Sequence, residues 1–298
     1  MTSQGTASGR VEQVSPDTAA DIVEEIADDA PEAPRERLLI ALDIDGTVLL
    51  EDETYSPGVV DAVAAAQDAG HEVMLATGRS WEGTRHILEH LQLTPEYVVC
   101  SNGAVILRRI GETAGYERFR TEQFDATEVL TLLRDHLPDA KYMVELPDGR
   151  RLYTRDFDEW NLAHADRVEF EGLSAQPVSR VVVVSDDEGD EDFLDLVSRI
   201  GLNEVSYAVG WSAWLDIAPQ GVDKATALEQ VRAWLAIEPA HVVVIGDGRN
   251  DIGMFRWAVA HGGRAIAMGQ GPEEVLSEAS ELTASVSEGG VTAVLSAL

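Results

Sequence analysis

Short apolar runs alternate with amphipathic stretches in the first and last thirds of the chain. The apolar runs are typical of buried parallel strands, and apolar positions spaced three or four residues apart predict helices. The strands are predicted at Leu39–Leu42, Glu72–Ala76, Tyr97–Cys100, His241–Ile245 and Ala265–Ala267, and the helices at Pro57–Ala69, Ser80–His90, Asp223–Trp234 and Asp251–Val259. This alternation predicts an α/β fold, a doubly wound, Rossmann-like parallel-sheet domain.

The pattern changes between roughly Gly111 and Pro219. Amphipathic strands and helices replace the apolar runs there, at Ala126–Leu137, Arg180–Val184 and Asp190–Ile200. We therefore expect a core domain formed by residues 38–111 and 220–298, divided by an inserted α+β domain at 112–219. Residues 1–37 are rich in Ser, Thr, Ala, Pro and acidic residues and are expected to be a mostly disordered tail, with a short helix at Thr18–Asp29 as an option. Their lack of an apolar segment argues against a secretory leader.

Composition narrows the classes of partner. The 298 residues carry a formal net charge of −32 with a pI near 4.3, which makes nucleic acid and anionic membranes improbable partners. The lone cysteine, Cys100, cannot form an internal disulfide and is expected to be buried. A cytoplasmic location is the resulting expectation.

Two carboxylates follow the first apolar run. Asp43 and Asp45 are two residues apart, so along an extended chain they share a face, and Gly46 then lets the chain turn. Like charges this close favour a hard cation such as Mg²⁺, at the strand end where open α/β sheets bind ligands. The alternative is an ordinary Asp-Gly turn after a core strand.

A second acidic group follows the strand His241–Ile245. If both strands lie in one parallel sheet, Asp247 and Asp251 reach the same edge as Asp43 and Asp45 and complete a carboxylate site for a metal. The structural alternative is a Gly-rich turn that caps the next helix. The spacing does not fit an EF-hand.

Two further segments carry groups suited to an anion. Thr77 and Gly78 follow the strand Glu72–Ala76 and offer a hydroxyl and a main-chain amide at a helix start. Lys224 opens a helical pattern and is one of only two lysines in the chain, which makes it a candidate phosphate ligand. A solvated first-turn lysine is the alternative.

In this order the four segments resemble the motifs of the haloacid dehalogenase superfamily. Asp43-Ile44-Asp45-Gly46-Thr47, Thr77-Gly78-Arg79, Lys224 and Gly246-Asp247-Gly248-Arg249-Asn250-Asp251 look like its four motifs. The stretches Ser101–Ala104, Asp216–Lys224 and Ala265–Gly269 resemble its Cof-like branch, subfamily IIB. That branch commonly has an Asn after the Met-Gly pair, where this chain has Gln270.

The resemblance implies roles for the matched catalytic residues. Asp43 would be the nucleophile, forming an aspartyl-phosphate, and also a metal ligand. Asp45 would act as the acid/base, and its main-chain carbonyl would bind the metal. Thr77 and Lys224 would hold the phosphoryl oxygens.

The resemblance also implies the remaining ligands. Asp247 would bind Mg²⁺ directly and Asp251 through water. Asn250 and the amide of Gly78 would lie near the phosphate. The presence of Asp45 argues against the halide-removing members, which lack this second carboxylate.

Relatives with this motif spacing carry an α+β cap that closes the site and selects the substrate. On a strand, Arg151, Tyr153 and Arg155 would share a face and could read a second substrate group, although pairing with surface acids is the favoured interpretation. Trp211 and Trp214 could floor the pocket or simply pack.

A zinc site is not expected among the histidines. His86 and His90 are four residues apart on one helix face, but two ligands do not make a zinc site. Glu82 starts too far from His90 along the helix axis to complete one easily.

Three functions follow from these observations. The leading one is a Mg²⁺-dependent phosphatase, a hydrolase that acts on a small phosphorylated metabolite such as a sugar phosphate. A phosphomutase of the same superfamily would share the motifs. A noncatalytic binding protein on this scaffold is the third, disfavoured because no motif position is replaced.

Overall fold

The computed structural model describes residues 36–111, 115–156, 164–185, 205–209 and 214–298. In chain order the strands are β1 (Leu39–Leu42), β2 (Glu72–Leu75), β3 (Tyr97–Cys100), β4 (Val105–Arg109), β5 (Tyr116–Thr121), β6 (Lys141–Glu145), β7 (Arg151–Tyr153), β8 (Ala165–Arg167), β9 (Arg180–Val184), β10 (Val205–Val209), β11 (Trp214–Pro219), β12 (Val242–Gly246), β13 (Arg264–Ala267) and β14 (Glu281–Leu282). The helices are α1 (Val59–Asp68), α2 (Trp81–His90), α3 (Thr127–His136), α4 (Lys224–Trp234), α5 (Ile252–Ala260), α6 (Glu273–Leu276) and α7 (Gly290–Leu295).

The apolar runs from the two ends of this region form one parallel sheet in the order β14-β13-β12-β1-β2. All of its strands except the exposed edge strand β14 are buried on both faces, which explains why they are continuous rather than alternating apolar runs. Helices α1, α2 and α7 cover one face, and α4, α5 and α6 cover the other. The predicted doubly wound α/β fold is confirmed, and each core strand and helix that the sequence predicted lies within about two residues of its expected bounds. Strand β14 and helices α6 and α7 were not predicted.

Strand β3 continues this sheet through a single parallel bridge between Ala76 and Val99. It then pairs with β4, and β4 with β5, in an antiparallel sheet. Cys100 at the end of β3 is fully buried, as the sequence predicts.

A third sheet lies in the inserted region, in the order β10-β11-β9-β6-β7-β8. Helix α3 packs on one face through Val129, Leu130 and Leu133, and the predicted strand Arg180–Val184 is observed as β9. The opposite face carries Met143 and Val182. The inserted α+β unit therefore has its own apolar core.

Some of the predictions are not tested by the described residues. Residues Arg37–Leu298 form one compact unit, in which β5 of the inserted region pairs with β4, so the division at 38–111, 112–219 and 220–298 stays a prediction. The tail 1–35, with its optional helix, the helix Asp190–Ile200 and Trp211 lie outside the described residues. Within the described region, no helix combines the length and apolar character needed to cross a bilayer.

Candidate active site

Strand register places the carboxylates of Asp43 and Asp247 side by side. β1 and β12 are parallel neighbours with Leu42 opposite Ile245, and the amide of Asp43 donates to the carbonyl oxygen of Ile245 at 2.9 Å. Asp43 follows the end of β1, and Asp247 follows the end of β12. Both side chains therefore lie at the carboxyl edge of the sheet, as expected for a ligand site in an open α/β fold.

Asp251 joins this pair from the turn after β12. Its Oδ2 accepts from the amides of Asp247 and Gly248 at 3.0 and 2.9 Å, which fixes the turn around it. One carboxylate oxygen each of Asp43, Asp247 and Asp251 lie within 4.8 Å of one another, and all three residues are buried. We call these three residues the acidic cluster.

Lys224 is the positive group of the site. It is the first residue of α4, whose start is fixed by Asp223, which accepts from the amide of Thr226 in a capping box. Its Nζ donates to Asp43 Oδ1 at 2.6 Å and to Asp251 Oδ1 at 2.7 Å, and the side chain is fully buried. Three carboxylates and one ammonium leave a formal charge of −2 in a buried site, which suits a divalent cation with oxygen ligands.

Burial and mutual repulsion change the acidities of these groups. Burial raises the pKa of Asp43 well above its ordinary value; Lys224 opposes this, whereas Asp251, Asp45 and Asp247 add to it. Burial and the charge of Asp251 raise the pKa of Asp247 to about 7. Burial alone would lower the pKa of Lys224, but the charges of Asp251 and Asp43 raise it above its ordinary value, so Lys224 stays protonated.

Asp45 lies outside the acidic cluster. Its carboxylate is 57% exposed and accepts from Arg79, with Nη2 at 2.6 Å and Nε at 3.0 and 3.1 Å from its oxygens. The strand ends at Leu42, so the alternation that would aim Asp45 toward Asp43 does not extend through the following turn. That the main-chain carbonyl of Asp45 binds a metal stays a prediction.

Three of the four anion-binding candidates, Thr77, Gly78 and Asn250, lie next to Asn102. The main-chain carbonyl of Thr77 accepts from the amide of Asn102 at 3.0 Å, and a Cβ on Gly78 would lie 3.2 Å from Asn102 Nδ2. Asn102 Oδ1 accepts from Asn250 Nδ2 at 3.1 Å. Thr77 is fully buried, and its hydroxyl oxygen accepts from the amide of Arg79. The structure thus links the second and fourth motifs.

Asn102 also contacts a buried ion pair of the inserted sheet, formed by Asp216 and Arg180. Asn102 Nδ2 donates to Asp216 Oδ2 at 2.6 Å, and Asp216 Oδ1 accepts from Arg180 Nε at 2.6 Å. Burial raises the pKa of Asp216, while Arg180 and Asn102 oppose the shift. Nearby, buried Glu145 accepts from Arg118 at 2.7 Å. These contacts join the inserted sheet to the site.

A cavity of about 210 Å³ adjoins this junction, with Lys224, Asn102, Asn250, Asp216 and Ser206 among its lining residues. A larger cavity of about 610 Å³ lies within the inserted unit and is lined by Arg134, Arg155, Arg167 and other residues. Of these two cavities, only the smaller one borders Lys224.

One of the three candidates on the predicted strand face of the inserted region, Arg155, is not where the alternation predicts it. β7 ends at Tyr153, so Arg155 does not continue the face of Arg151 and Tyr153 as expected; it contacts Asp139 instead. Arg151 is buried opposite Glu145 in the sheet. The favoured interpretation, pairing with acids, holds for Arg155.

Two aromatic side chains from the sequence analysis pack against neighbouring side chains. Trp214 packs against the face that carries Met143 and Val182. His90 stacks on Tyr55 with ring centroids 3.9 Å apart, and neither it nor His86 joins an acidic or histidine group that could hold a metal among the described residues.

Three contacts at the site are not apparent from the sequence patterns. They are the Arg79–Asp45 pair, the bridging position of Asn102 and a contact of Gln270 with Asp247. For Asn102 a signal exists, since an Asn-Gly pair after a strand is typical of left-handed backbone, and its φ is 50°. Arg79 has no such signal, and for Gln270 the sequence offers only its position after the Met-Gly pair.

Comparisons with known proteins give a matching family and several curated relatives. A family model described as haloacid dehalogenase-like hydrolase matches residues 40–295. The chain is 25% identical to the 5-amino-6-(5-phospho-D-ribitylamino)uracil phosphatase YitU of Bacillus subtilis, over 86% of this chain and 96% of that protein. It is 27% identical to the pyridoxal phosphate phosphatase YbhA of Escherichia coli, over 81% of this chain and 91% of that protein.

Solved structures show the same fold. A haloacid dehalogenase-like hydrolase from B. subtilis superposes with a TM-score of 0.73 at 22% identity, covering 87% of this chain and 99% of that one. A sugar phosphatase of subclass IIB superposes with a TM-score of 0.70 at 19% identity, covering 88% and 98%.

Proposed function

The chain belongs to the haloacid dehalogenase-like hydrolase family and is a phosphoric monoester hydrolase of its Cof-like branch, and from this premise we propose that it hydrolyses a small phosphorylated metabolite with Mg²⁺, through an aspartyl-phosphate on Asp43. The observation that carries the proposal is the buried contact of Lys224 with Asp43 and Asp251 beside Asp247. Burying three carboxylates together destabilises the folded protein. A bound cation and phosphoryl group would give this cost a functional reason.

The residues present fit a magnesium ion. Asp43, Asp247 and Asp251 supply only oxygen ligands, and their formal charge exceeds that of Lys224 by two. When bound, the ion would offset the negative charge of the phosphoryl oxygens and of the attacking carboxylate. The residues that would hold it are Asp43 and Asp247 directly, Asp251 through water, and the carbonyl of Asp45.

Asp43 would act as the nucleophile. Lys224 holds its Oδ1 at 2.6 Å, which orients the carboxylate so that its other oxygen can attack phosphorus. The new Oδ–P bond forms as the bond from phosphorus to the leaving oxygen breaks. Attack of water on the aspartyl-phosphate then returns Asp43 and releases phosphate.

Asp45 would carry the protons for these two steps. It gives a proton to the leaving oxygen and then takes one from the attacking water. Its carboxylate is exposed and contacts Arg79, so a rotation away from Arg79 must precede proton transfer. We propose that substrate binding accompanies this rotation.

The phosphoryl oxygens would be held by positive and N–H groups around the site. Lys224, the Thr77 hydroxyl, the Gly78 amide and Asn250 are the proposed donors. Lys224 would interact with Asp43 and the transferring group together, and in the free site the charges of Asp251 and Asp43 raise its pKa.

The substrate is proposed to be a sugar phosphate or a similar phosphomonoester. Two relatives are named as phosphatases of a phosphoribitylaminouracil and of pyridoxal phosphate, and one structural neighbour is named as a sugar phosphatase. The substrates in these names are small molecules. The adjoining cavity of about 210 Å³ is lined with amide, hydroxyl and carboxylate groups that suit a hydroxylated leaving group. The net charge of −32 disfavours a polyanion.

The test is turnover by purified protein on a library of phosphorylated metabolites and on p-nitrophenyl phosphate, with Mg²⁺ and after exhaustive chelation. We expect release of inorganic phosphate only with the divalent ion, and none from Asp43→Asn. Full activity after chelation would refute the metal requirement, and turnover by Asp43→Asn would move the nucleophile elsewhere. Phosphate transfer between substrate positions without release would identify a mutase.

A further inference from the structure

Gln270 contacts the acidic cluster through its side-chain amide. It follows β13 closely in the chain, and its Nε2 donates to the carbonyl oxygen of Gly46 at 2.5 Å and to Asp247 Oδ2 at 3.2 Å. Its Oε1 accepts from the amide of Val286 at 3.0 Å. One side chain thus joins the turn after Asp45, the metal-ligand candidate Asp247 and the turn at Val286.

These partners leave one orientation for the amide group. Val286 offers an N–H donor, so the carbonyl oxygen of Gln270 must face it. The carbonyl oxygen of Gly46 and the ionised carboxylate of Asp247, the form that binds a cation, offer only acceptors, so the NH₂ group must face them. A flipped amide would lose all three hydrogen bonds.

Gly46 restricts the same carboxylate oxygen from a second direction. A Cβ on Gly46 would lie 2.0 Å from Asp247 Oδ2, and the φ of Gly46 is 71°, a region where glycine is favoured. Asp247 Oδ2 is therefore in close contact with the Gly46 backbone and hydrogen-bonded to Gln270. A carboxylate has lone pairs enough to accept this hydrogen bond and bind a cation.

We infer that Gln270 is a positioning residue that orients the Asp247 carboxylate for a divalent cation. This inference rests on the proposed cation site. Groups that hydrogen-bond to metal ligands fix the ligand's direction, and their loss typically weakens metal binding by about ten- to a hundredfold. The alternative is that Gln270 only ties two turns together through Gly46 and Val286.

Gln270→Met tests the inference because it keeps the length of the side chain and removes its hydrogen bonds. Ser56→Ala is the matched control: Ser56 Oγ donates to the carbonyl oxygen of Val286 at 2.7 Å, so this change loosens the same turn without contact to Asp247. Metal-free full-length proteins are titrated with Mn²⁺ by calorimetry, and their thermal midpoints are measured in chelator.

We expect Gln270→Met to raise the Kd for Mn²⁺ by about tenfold, and Ser56→Ala to keep the wild-type Kd even where its thermal midpoint falls. In turnover assays, Gln270→Met should require more Mg²⁺ for half-maximal rate and regain kcat when the ion is saturating. If Gln270→Met fails to fold, Gln270→Asn replaces it, since it is one methylene too short to reach all three partners.

Wild-type affinity in the Gln270 variants would overturn the positioning role while leaving the proposed function intact. An equal loss of affinity in Ser56→Ala would overturn it as well, because the turn alone would then set the affinity. A wild-type protein that binds no divalent ion would refute the cation site itself, and the inference with it.

Discussion

Replacing the metal-ligand candidate Asp247 by Asn should stabilise the metal-free protein. Burial raises the pKa of Asp247 from an ordinary 3.8 to about 7, and the charge of Asp251 adds to the shift, while the hydrogen bond from Gln270 opposes it. Asn keeps a carbonyl oxygen for Gln270 and presents an NH₂ group to the neighbouring carboxylates. The variant therefore removes a buried charge and keeps the shape of the site.

The sign and size of the effect follow from proton linkage. The folded protein holds a proton on Asp247 that the unfolded chain has released, so wild-type stability falls as the pH rises from about 4 to about 7. At about 1.4 kcal/mol per pKa unit, the full loss is on the order of 4 kcal/mol above pH 7, and about 1.5 kcal/mol at pH 5. Asp247→Asn escapes this loss.

The assay is calorimetric unfolding in chelator at pH 5 and pH 8. A gain on the order of 4 kcal/mol corresponds to a thermal midpoint about 10 °C higher than wild type at pH 8, with a smaller gain at pH 5. Asp68→Asn, an exposed change on α1, is the control and should shift neither midpoint. Saturating Mg²⁺ should then stabilise wild type and leave Asp247→Asn unchanged.

Two results would refute this reasoning. A variant no more stable than wild type at pH 8 would show that Asp247 bears no ionisation cost in the metal-free site. A gain of equal size at pH 5 and pH 8 would show that the stabilisation is not electrostatic.

Three further predictions follow from the same site. Lys224→Ala should lower kcat/KM by about a hundredfold on every substrate, a loss of about 3 kcal/mol, because Lys224 would contact the phosphoryl group that all substrates share. Arg155→Ala is the control, since this side chain contacts Asp139, and a similar loss in that variant would contradict the prediction. Gly46→Ala should weaken Mn²⁺ binding by at least about tenfold in calorimetry, since its Cβ would lie 2.0 Å from Asp247 Oδ2, and an unchanged Kd would count against it. Metal affinity should rise with pH toward about 7, because the cation displaces the Asp247 proton. Calorimetry in buffers of different ionisation enthalpy measures the released proton, and a pH-independent Kd would exclude the linkage.

The hydrophobic pattern predicted the core fold because it is a local property. Strands buried on both faces must be continuous apolar runs, and β1, β3 and β12 are found where such runs occur. The carboxylates at their ends could be placed as well, since parallel strands bring their carboxyl ends to one edge. For Asp43 and Asp247 this reasoning required only that β1 and β12 be neighbours.

The same reasoning failed where a chain leaves a strand. Alternation stops at Leu42 and at Tyr153, so it could not direct Asp45 or Arg155. Asp45 and Arg155 instead contact opposite charges, on Arg79 and Asp139 respectively. Their orientation is a matter of electrostatics in three dimensions.

The sequence by itself thus determined the parallel sheet, the order of the motifs and the acidic edge, since these depend on burial and on period along the chain. Only the tertiary structure decided that Lys224 is buried between Asp43 and Asp251, that Asp45 pairs with Arg79 and that Gln270 contacts Asp247. The physical reason is separation: Lys224 and Asp43 are 181 positions apart, and a 2.6 Å contact between them exists only once the sheet and α4 have packed.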